Sequence, residues 1–147
     1  MNGKALILIV FLALFIIVAC SGGQKTQPQS ESASVKVSGG LGQLIGVYDD
    51  QNLTVHLSAI NWGVCYPGGS SSHTAWIRNE YTGPITLTFT AGNWTPAEAS
   101  KIILTTNIPG GYQLAASEVL QVVFTITIPS NTTISDFSFN VLINASG

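Results

Sequence analysis

Two stretches in the second half of the chain alternate apolar and polar residues, and this period of two constrains the fold more than any other feature. Every second residue is apolar over residues 120–128 and again over residues 137–143. Successive side chains of a β-strand point to opposite faces, so the pattern predicts strands with one buried face. On this phase we expect Phe124 and Phe139 to be buried and Thr127 to be exposed.

Turn residues divide the chain from residue 41 onward into short predicted strands. The turns recur about every 8–12 residues, which is typical of a two-sheet antiparallel sandwich. We expect about seven to eight strands, including residues 43–48, 53–57, 73–79 and 85–91. Residues 80–84 are predicted to join the last two of these strands as a hairpin. Residues 95–98 read Thr-Pro-Ala-Glu, which predicts a short helical turn that begins with a capping box.

The N-terminus carries one lysine and then an uninterrupted apolar run over residues 5–19. As a helix this run spans about 23 Å, which is short of a hydrocarbon core of about 30 Å. A basic residue followed by an apolar run and small residues is typical of a secretory signal or signal anchor. We therefore assign residues 1–20 to a signal peptide or membrane anchor helix. This assignment places the C-terminal domain outside the cell, at the cell membrane.

Three versions of this membrane targeting remain open. Residues 17–20 read Ile-Val-Ala-Cys and are followed by Ser-Gly-Gly, which looks like a lipoprotein lipobox with Cys20 as the lipidated residue. Alternatively, the apolar helix is retained as a single-pass transmembrane anchor. The third version is a pilin-type signal, cut after Lys4 and before the apolar run.

Residues 21–40 are rich in serine, glutamine and glycine and contain almost no large apolar residue. Such a segment buries too little surface to offset its ordering entropy, so we expect a flexible linker there. The domain proper is then predicted to occupy residues 41–147. Its one cysteine, Cys65, is expected to pack as a small apolar residue.

Several motifs carry a resemblance to known proteins. Residues 60–70 read Ile-Asn-Trp-Gly-Val-Cys-Tyr-Pro-Gly-Gly-Ser, and Asn79 precedes Pro84 by five positions. These residues resemble the widespread Ig-like pattern of aromatic-Gly, Pro-Gly-Gly-Ser and Asn-x-x-x-x-Pro. Residues 93–100 (Asn-Trp-Thr-Pro-Ala-Glu-Ala-Ser) and 137–143 are similar to a group of uncharacterised archaeal exported proteins. The resemblance implies an N-terminal membrane segment followed by one Ig-like antiparallel β-sandwich.

Composition argues against several classes of function. Only five lysines and arginines are scattered over the 147 residues, so the chain lacks the basic surface that nucleic-acid binding requires. His56 and His73 are the only histidines, and Asp49-Asp50 lacks the spaced carboxylates of a dedicated calcium loop. No pair of groups can be argued into nucleophilic or acid–base geometry. We therefore expect no enzymatic activity, no cofactor and no metal.

Four tripeptides match the acceptor sequence for N-glycosylation. They begin at Asn52, Asn93, Asn131 and Asn144. Attached sugar would help to solubilise an exported surface that has few charges. The other interpretation is that these residues only form turns and caps.

Four aromatic residues in or near the predicted loops are candidates for binding: Tyr66, Trp76, Tyr81 and Tyr112. Aromatic side chains bury a large area at little cost in rotamer entropy, so they can stack on sugars or form a protein interface. Trp62 and Trp94 are instead expected to close the ends of the core.

The sequence supports two functional hypotheses. The first is a non-enzymatic, membrane-anchored cell-surface protein with a structural or assembly role, such as a filament subunit. The alternative is a surface module that binds glycan or protein through the loop aromatics. For the first hypothesis, residues 34–47 are a candidate strand that pairs either with their own domain or, by strand exchange, with a neighbouring copy.

Overall fold

The computed structural model describes residues 29–38 and 44–147, and within them the chain is built almost entirely of β-strands. A single short 3-10 helix, Ala97–Lys101, interrupts the described strands. Nine strands are present in this part of the chain: β1 Gln29–Ser38, β2 Ile45–Tyr48, β3 Ala59–Cys65, β4 Ser70–Asn79, β5 Ile85–Thr95, β6 Ile103–Thr106, β7 Tyr112–Leu114, β8 Val119–Thr127 and β9 Asp136–Ser146.

The strands form two sheets that enclose one apolar core, which makes the domain a β-sandwich. The five-stranded sheet has the order β3-β1-β9-β5-β7, and the four-stranded sheet has the order β2-β4-β8-β6. Phe89 of one sheet meets Phe124 of the other edge to face, with 5.8 Å between ring centroids. Residues 41–147 hold eight described strands, which agrees with the predicted seven to eight.

The predicted phase of the long strands is confirmed. Phe124 and Phe139 are 0% and 2% exposed, whereas Thr88 and Thr127 face solvent. Along β8 and β9 the buried positions follow the apolar residues of the alternating pattern. Cys65 is also fully buried in the core, as expected for a small apolar residue.

The first strand differs from the prediction. Gln29–Ser38 lies within the expected flexible linker of residues 21–40, yet it forms β1 inside the five-stranded sheet. It pairs in parallel with β9, so the sheet is not purely antiparallel. The physical reason is that β3 and β9 each offer a row of backbone groups, and a strand between them pairs with both.

The predicted strand over residues 53–57 was also wrong. These residues form a loop in which Val55 is 54% exposed and Leu53 has a φ of 59°. The carboxylate of Asp50 accepts hydrogen bonds from the backbone N–H groups of Val55 and Thr54, at 2.7 and 2.9 Å. This side chain therefore folds the backbone into a turn that overrides the alternating pattern.

Residues 80–84 do not form the predicted hairpin, because β4 and β5 belong to different sheets. Asn79, 1% exposed, organises the crossover between the sheets. Its Nδ2 donates to the carbonyl of Gly83 at 2.9 Å, and its Oδ1 accepts from the N–H of Tyr81 at 2.8 Å. The same Nδ2 lies 3.0 Å from the carbonyl oxygen of Leu114, so Asn79 also fixes the loop that follows β7.

The capping box at residues 95–98 is not formed. Pro96 occupies the N-cap position of the 3-10 helix, and no side chain caps the helix by a hydrogen bond. Thr95 instead ends β5, where it pairs with Ser138 of β9. Thr95, the predicted N-cap, is therefore part of a strand and does not cap the helix.

Candidate functional site

The space between β3 and β9 in the five-stranded sheet, which we call the β1 slot, holds the first described strand on both sides. β1 pairs with β9 at nine consecutive positions, from Ser30 to Ser38. On its other side it pairs with β3 from Gln29 to Ser34, with one irregularity in register. A strand that begins the described domain is therefore internal to the sheet rather than at its edge.

Two aromatic rings, one from each strand that flanks β1, stack on each other on the core side of the sheet. Trp62 of β3 and Phe139 of β9 stack with 6.2 Å between centroids and an interplanar angle of 11°. Their two strands lie on either side of β1, so their backbones are about 9.5 Å apart. The β1 residue paired with Phe139 is Ala33, which is 1% exposed. A small side chain at this position lets the rings approach one another.

Further rings extend this aromatic cluster along β9. Trp94 of β5 stacks on Phe139 at 4.2 Å between centroids, and Phe137 lies 6.3 Å from each of these two rings. Trp62 is 4% exposed, and its buried indole N–H has no hydrogen-bond partner. Both tryptophans therefore pack against the core, in agreement with the prediction for them.

A second cluster of polar and aromatic side chains lies at the end of β2. The rings of Tyr48 and His56 stack at 4.6 Å, and Tyr48 Oη donates a hydrogen bond to Glu80 at 3.3 Å. Burial and the nearby Glu80 carboxylate raise the pKa of Tyr48. His73 Nε2 lies 2.9 Å from Asp49 Oδ1, without the alignment of a hydrogen bond.

Nowhere in residues 29–38 and 44–147 do three or more metal-binding side chains come together. The Asp50 carboxylate accepts the hydrogen bonds of the turn described above. These hydrogen bonds, of which that from Val55 has the largest effect, lower the pKa of Asp50. The cluster therefore stabilises the loop after β2 by local contacts.

The four candidate glycosylation sites differ in accessibility. Asn52, Asn93 and Asn131 are exposed, and the first and last lie in turns between strands. Asn93 has a φ of 54° next to Trp94 and the aromatic cluster. Asn144 is half-buried on β9, where it pairs with β1 and β5. Three of the four side chains are thus free of cover by neighbouring strands.

The four candidate binding aromatics are spread over separate parts of the domain. Tyr66 and Tyr81, 36% and 39% exposed, flank opposite ends of β4, a separation of about 30 Å for a strand of this length. Trp76 is half-buried within β4, and Tyr112 is half-buried on β7 in the other sheet. None of the ring–ring contacts among the described residues involves these four. The structure does not bring them together.

The remaining predicted site residue, Cys20, and the apolar run before it lie outside the described residues. Within the part of the chain that the structure describes, no helix is long and apolar enough to span a membrane. No protein-family model matches the sequence, and a search of curated proteins finds no match to it.

The sequence analysis missed Ala33, the β1 position that pairs with Phe139. A weak pattern was available, because Ala33, Val35 and Val37 alternate with serine and lysine. The polar composition around these residues favoured a linker instead. Their place in the sheet depends on partners about a hundred residues away, which a local pattern does not contain.

Proposed function

We propose that this chain is a non-enzymatic structural protein of the cell surface that assembles with copies of itself. In this proposal residues 1–20 anchor it to the membrane and an Ig-like β-sandwich lies outside the cell. A filament is the assembly that such a subunit would build. The observation that carries the proposal is the place of β1, the first described strand, which is held inside a sheet by two neighbours.

The position of β1 also defines how closely the domain would follow its anchor. Only residues 21–28 separate the proposed anchor from Gln29, the first residue of β1. Eight residues reach at most about 28 Å when fully extended. The anchored domain would therefore lie close to the membrane surface, where neighbouring copies are concentrated.

Other features support an exported, structural role. The described surface bears few charges, and Asn52, Asn93 and Asn131 are accessible for glycosylation. Two mostly antiparallel sheets, joined by crossovers such as that between β4 and β5, support the Ig-like assignment. The resemblance to archaeal exported proteins supports the same assignment.

Labelling of intact cells tests where the domain lies. Thr127 is exposed and Cys65 is fully buried. A membrane-impermeant maleimide should therefore label Thr127→Cys equally in intact and in lysed cells, above the background of the unsubstituted chain. Labelling that needs lysis would contradict the proposed location.

Intact mass of the protein from native membranes distinguishes the three forms of anchoring. A lipoprotein has a mass that begins at an acylated Cys20, and Cys20→Ser then remains unprocessed. A mature chain that still begins at Met1 indicates a retained anchor, and cleavage after Lys4 indicates pilin-type processing. The same spectra show whether sugar is attached.

Self-assembly is tested on the same membranes. We expect the detergent-extracted full chain to form oligomers whose size, measured by light scattering, grows with protein concentration. A chain that is monomeric at every concentration would contradict the assembly role.

A further inference from the structure

β1 is paired along both of its edges. It pairs at nine positions with β9 and at six with β3, whereas its described buried side chains are only Ala33 and Val35. Backbone pairing does not depend on which copy of the chain supplies the strand. A second copy's β1 has the same backbone and the same small residue at position 33.

The chain topology allows β1 to be exchanged without threading. β1 comes before all other described strands, and its covalent connection to them runs only through residues 39–43. By contrast, β8 is joined to the domain at both ends and contributes four fully or nearly fully buried residues: Val122, Phe124, Ile126 and, just beyond it, Ile128. Of these two internal strands, only β1 lacks a described strand of the same domain on one side of it in the sequence.

We infer that β1 of one copy fills the β1 slot of a second copy, parallel to that copy's β9, and that Ala33 is the residue which the slot selects. This inference rests on the proposed function and specifies its contact. A donor whose β1 lies in another copy leaves its own slot open for a third. When each open slot is filled by a new copy the contact is head to tail and extends, whereas two copies that exchange β1 reciprocally form a closed dimer.

Selection at position 33 follows from the rings above it. Ala33 pairs with Phe139, which stacks on Trp62, and Ala33 is 1% exposed, so a larger side chain there must displace its neighbours. Self-insertion competes with exchange, because a chain's own β1 has a high effective concentration at its slot. Exchange is therefore expected to increase with the density of copies in the membrane.

Single cysteines on separate full-length chains test the inference directly. Lys36 of β1 pairs with Leu142 of β9; Lys36 is exposed and Leu142 is half-buried. Adjacent strands place paired Cα atoms about 5 Å apart, within reach of a disulfide. Two differently tagged chains, one Lys36→Cys and the other Leu142→Cys, are co-expressed and their membranes are treated with a mild oxidant.

We expect a disulfide that joins the two tags, which can arise only between copies. The matched control replaces Leu142→Cys with Ser138→Cys, an exposed position four residues away on β9 and about 13 Å from Leu142. This control should stay at the background given by the native cysteines. Absence of the 36–142 bond, or equal crosslinking at residues 138 and 142, would overturn the inference. Neither result depends on a substitution in the core.

Ala33→Leu then tests whether the slot selects alanine at position 33. It should lower the yield of the 36–142 crosslink when the donor chain carries it and raise that yield when the acceptor chain carries it. In the Lys36→Cys donor it should lower the crosslink about tenfold, since the enlarged side chain no longer fits beneath the rings. In the Leu142→Cys acceptor it should raise the crosslink about threefold, because that chain's own β1 no longer competes for the slot. Ala33→Gly should leave both yields unchanged, and equal losses in both arms would overturn selection at this position.

The results also separate this inference from the proposed function. Oligomers that lack the 36–142 bond would leave the surface-assembly role standing and remove the β1 contact. A monomeric chain, or a domain labelled only in lysed cells, would remove the proposed function itself.

Discussion

β1 and β8 are both internal strands, but the domain holds them in different ways. β8 lies between β4 and β6 and places large apolar side chains in the core. β1 lies between β9 and β3, and its described buried residues are an alanine and a valine. The described contacts of β8 thus combine strand pairing with large apolar burial, whereas those of β1 are two backbone ladders and two small buried side chains.

A central strand of a sheet usually combines apolar burial with backbone pairing on both edges, and β1 and β8 differ in how much of each they show. Apolar burial ties β8 to one chain, since its side chains and both of its connections belong to the same core. Backbone pairing ties β1 to a slot of a given shape, since another strand with the same spacing can make the same hydrogen bonds. The following predictions test that contrast, beginning with the largest effect.

Truncation of the β8 side chain that fills the core should have the largest effect. Phe124→Ala removes a fully buried ring, so we expect the free energy of unfolding to fall by about 3–5 kcal/mol. Thr127→Ala, on the exposed face of the same strand, should cost less than about 1 kcal/mol. Denaturant titration of both variants measures the difference. Equal effects would show that apolar burial does not hold β8.

Removal of the buried amide at the crossover should have the next largest effect. Asn79→Ala leaves the carbonyls of Gly83 and Leu114 and the N–H of Tyr81 without their partner. We expect the free energy of unfolding to fall by about 2–4 kcal/mol. Thr88→Ala, at an exposed position of β5, serves as the control. A loss below that of the control would mean that the sheets are joined by apolar packing alone.

A larger side chain at position 33 of β1 should lower the free energy of unfolding by less than the two changes above, and its effect should stay local. Ala33→Leu is expected to destabilise by about 1–3 kcal/mol through overpacking. In hydrogen exchange, the loss of protection should be confined to β1 and the facing edges of β3 and β9. Ala75→Leu, at a fully buried alanine paired with β8, should instead lower protection throughout the domain. Global loss in both variants would contradict the distinction between the two strands.

The smallest expected effect is a pH-dependent change in the loop after β2, which lies outside the two strands compared above. Hydrogen bonds from Val55 and Thr54 lower the pKa of Asp50. A lowered pKa in the folded state stabilises the loop above the ordinary carboxyl pKa, and this contribution is lost as the pH falls through the lowered value. NMR of the Val55 amide should follow this titration in the unsubstituted protein. A persistent acid transition in Asp50→Asn would assign it to another group.

The sequence predicted those parts of the fold in which burial decides the structure. β8, β9 and the start of β5 lie in the predicted phase, because alternating apolar residues have one favourable orientation against a core. The prediction from sequence failed where one polar side chain or a strand distant in the sequence determines the local structure. Asp50 turned the predicted strand over residues 53–57 into a loop, and Asn79 turned a predicted hairpin into a crossover between sheets.

The candidate site was predicted only in part. The tryptophans of the aromatic cluster were expected to pack against the core, and a pairing strand was expected near residues 34–47. The strand lies earlier, at Gln29–Ser38, and it is inserted rather than added at an edge. A polar segment gains this position from two ladders formed with distant strands, and no local periodicity encodes those ladders.

The parallel pairing of β1 and β9 also determines how the domain would respond to mechanical load. When tension enters ahead of Gln29 and leaves beyond Ser146, it pulls the two strands in opposite directions along their shared axis. All the hydrogen bonds between them are then sheared together instead of opening one by one as in a peeled hairpin, and the rate of forced unfolding depends on that collective barrier. A domain built in this way resists tension applied between its first and last described strands.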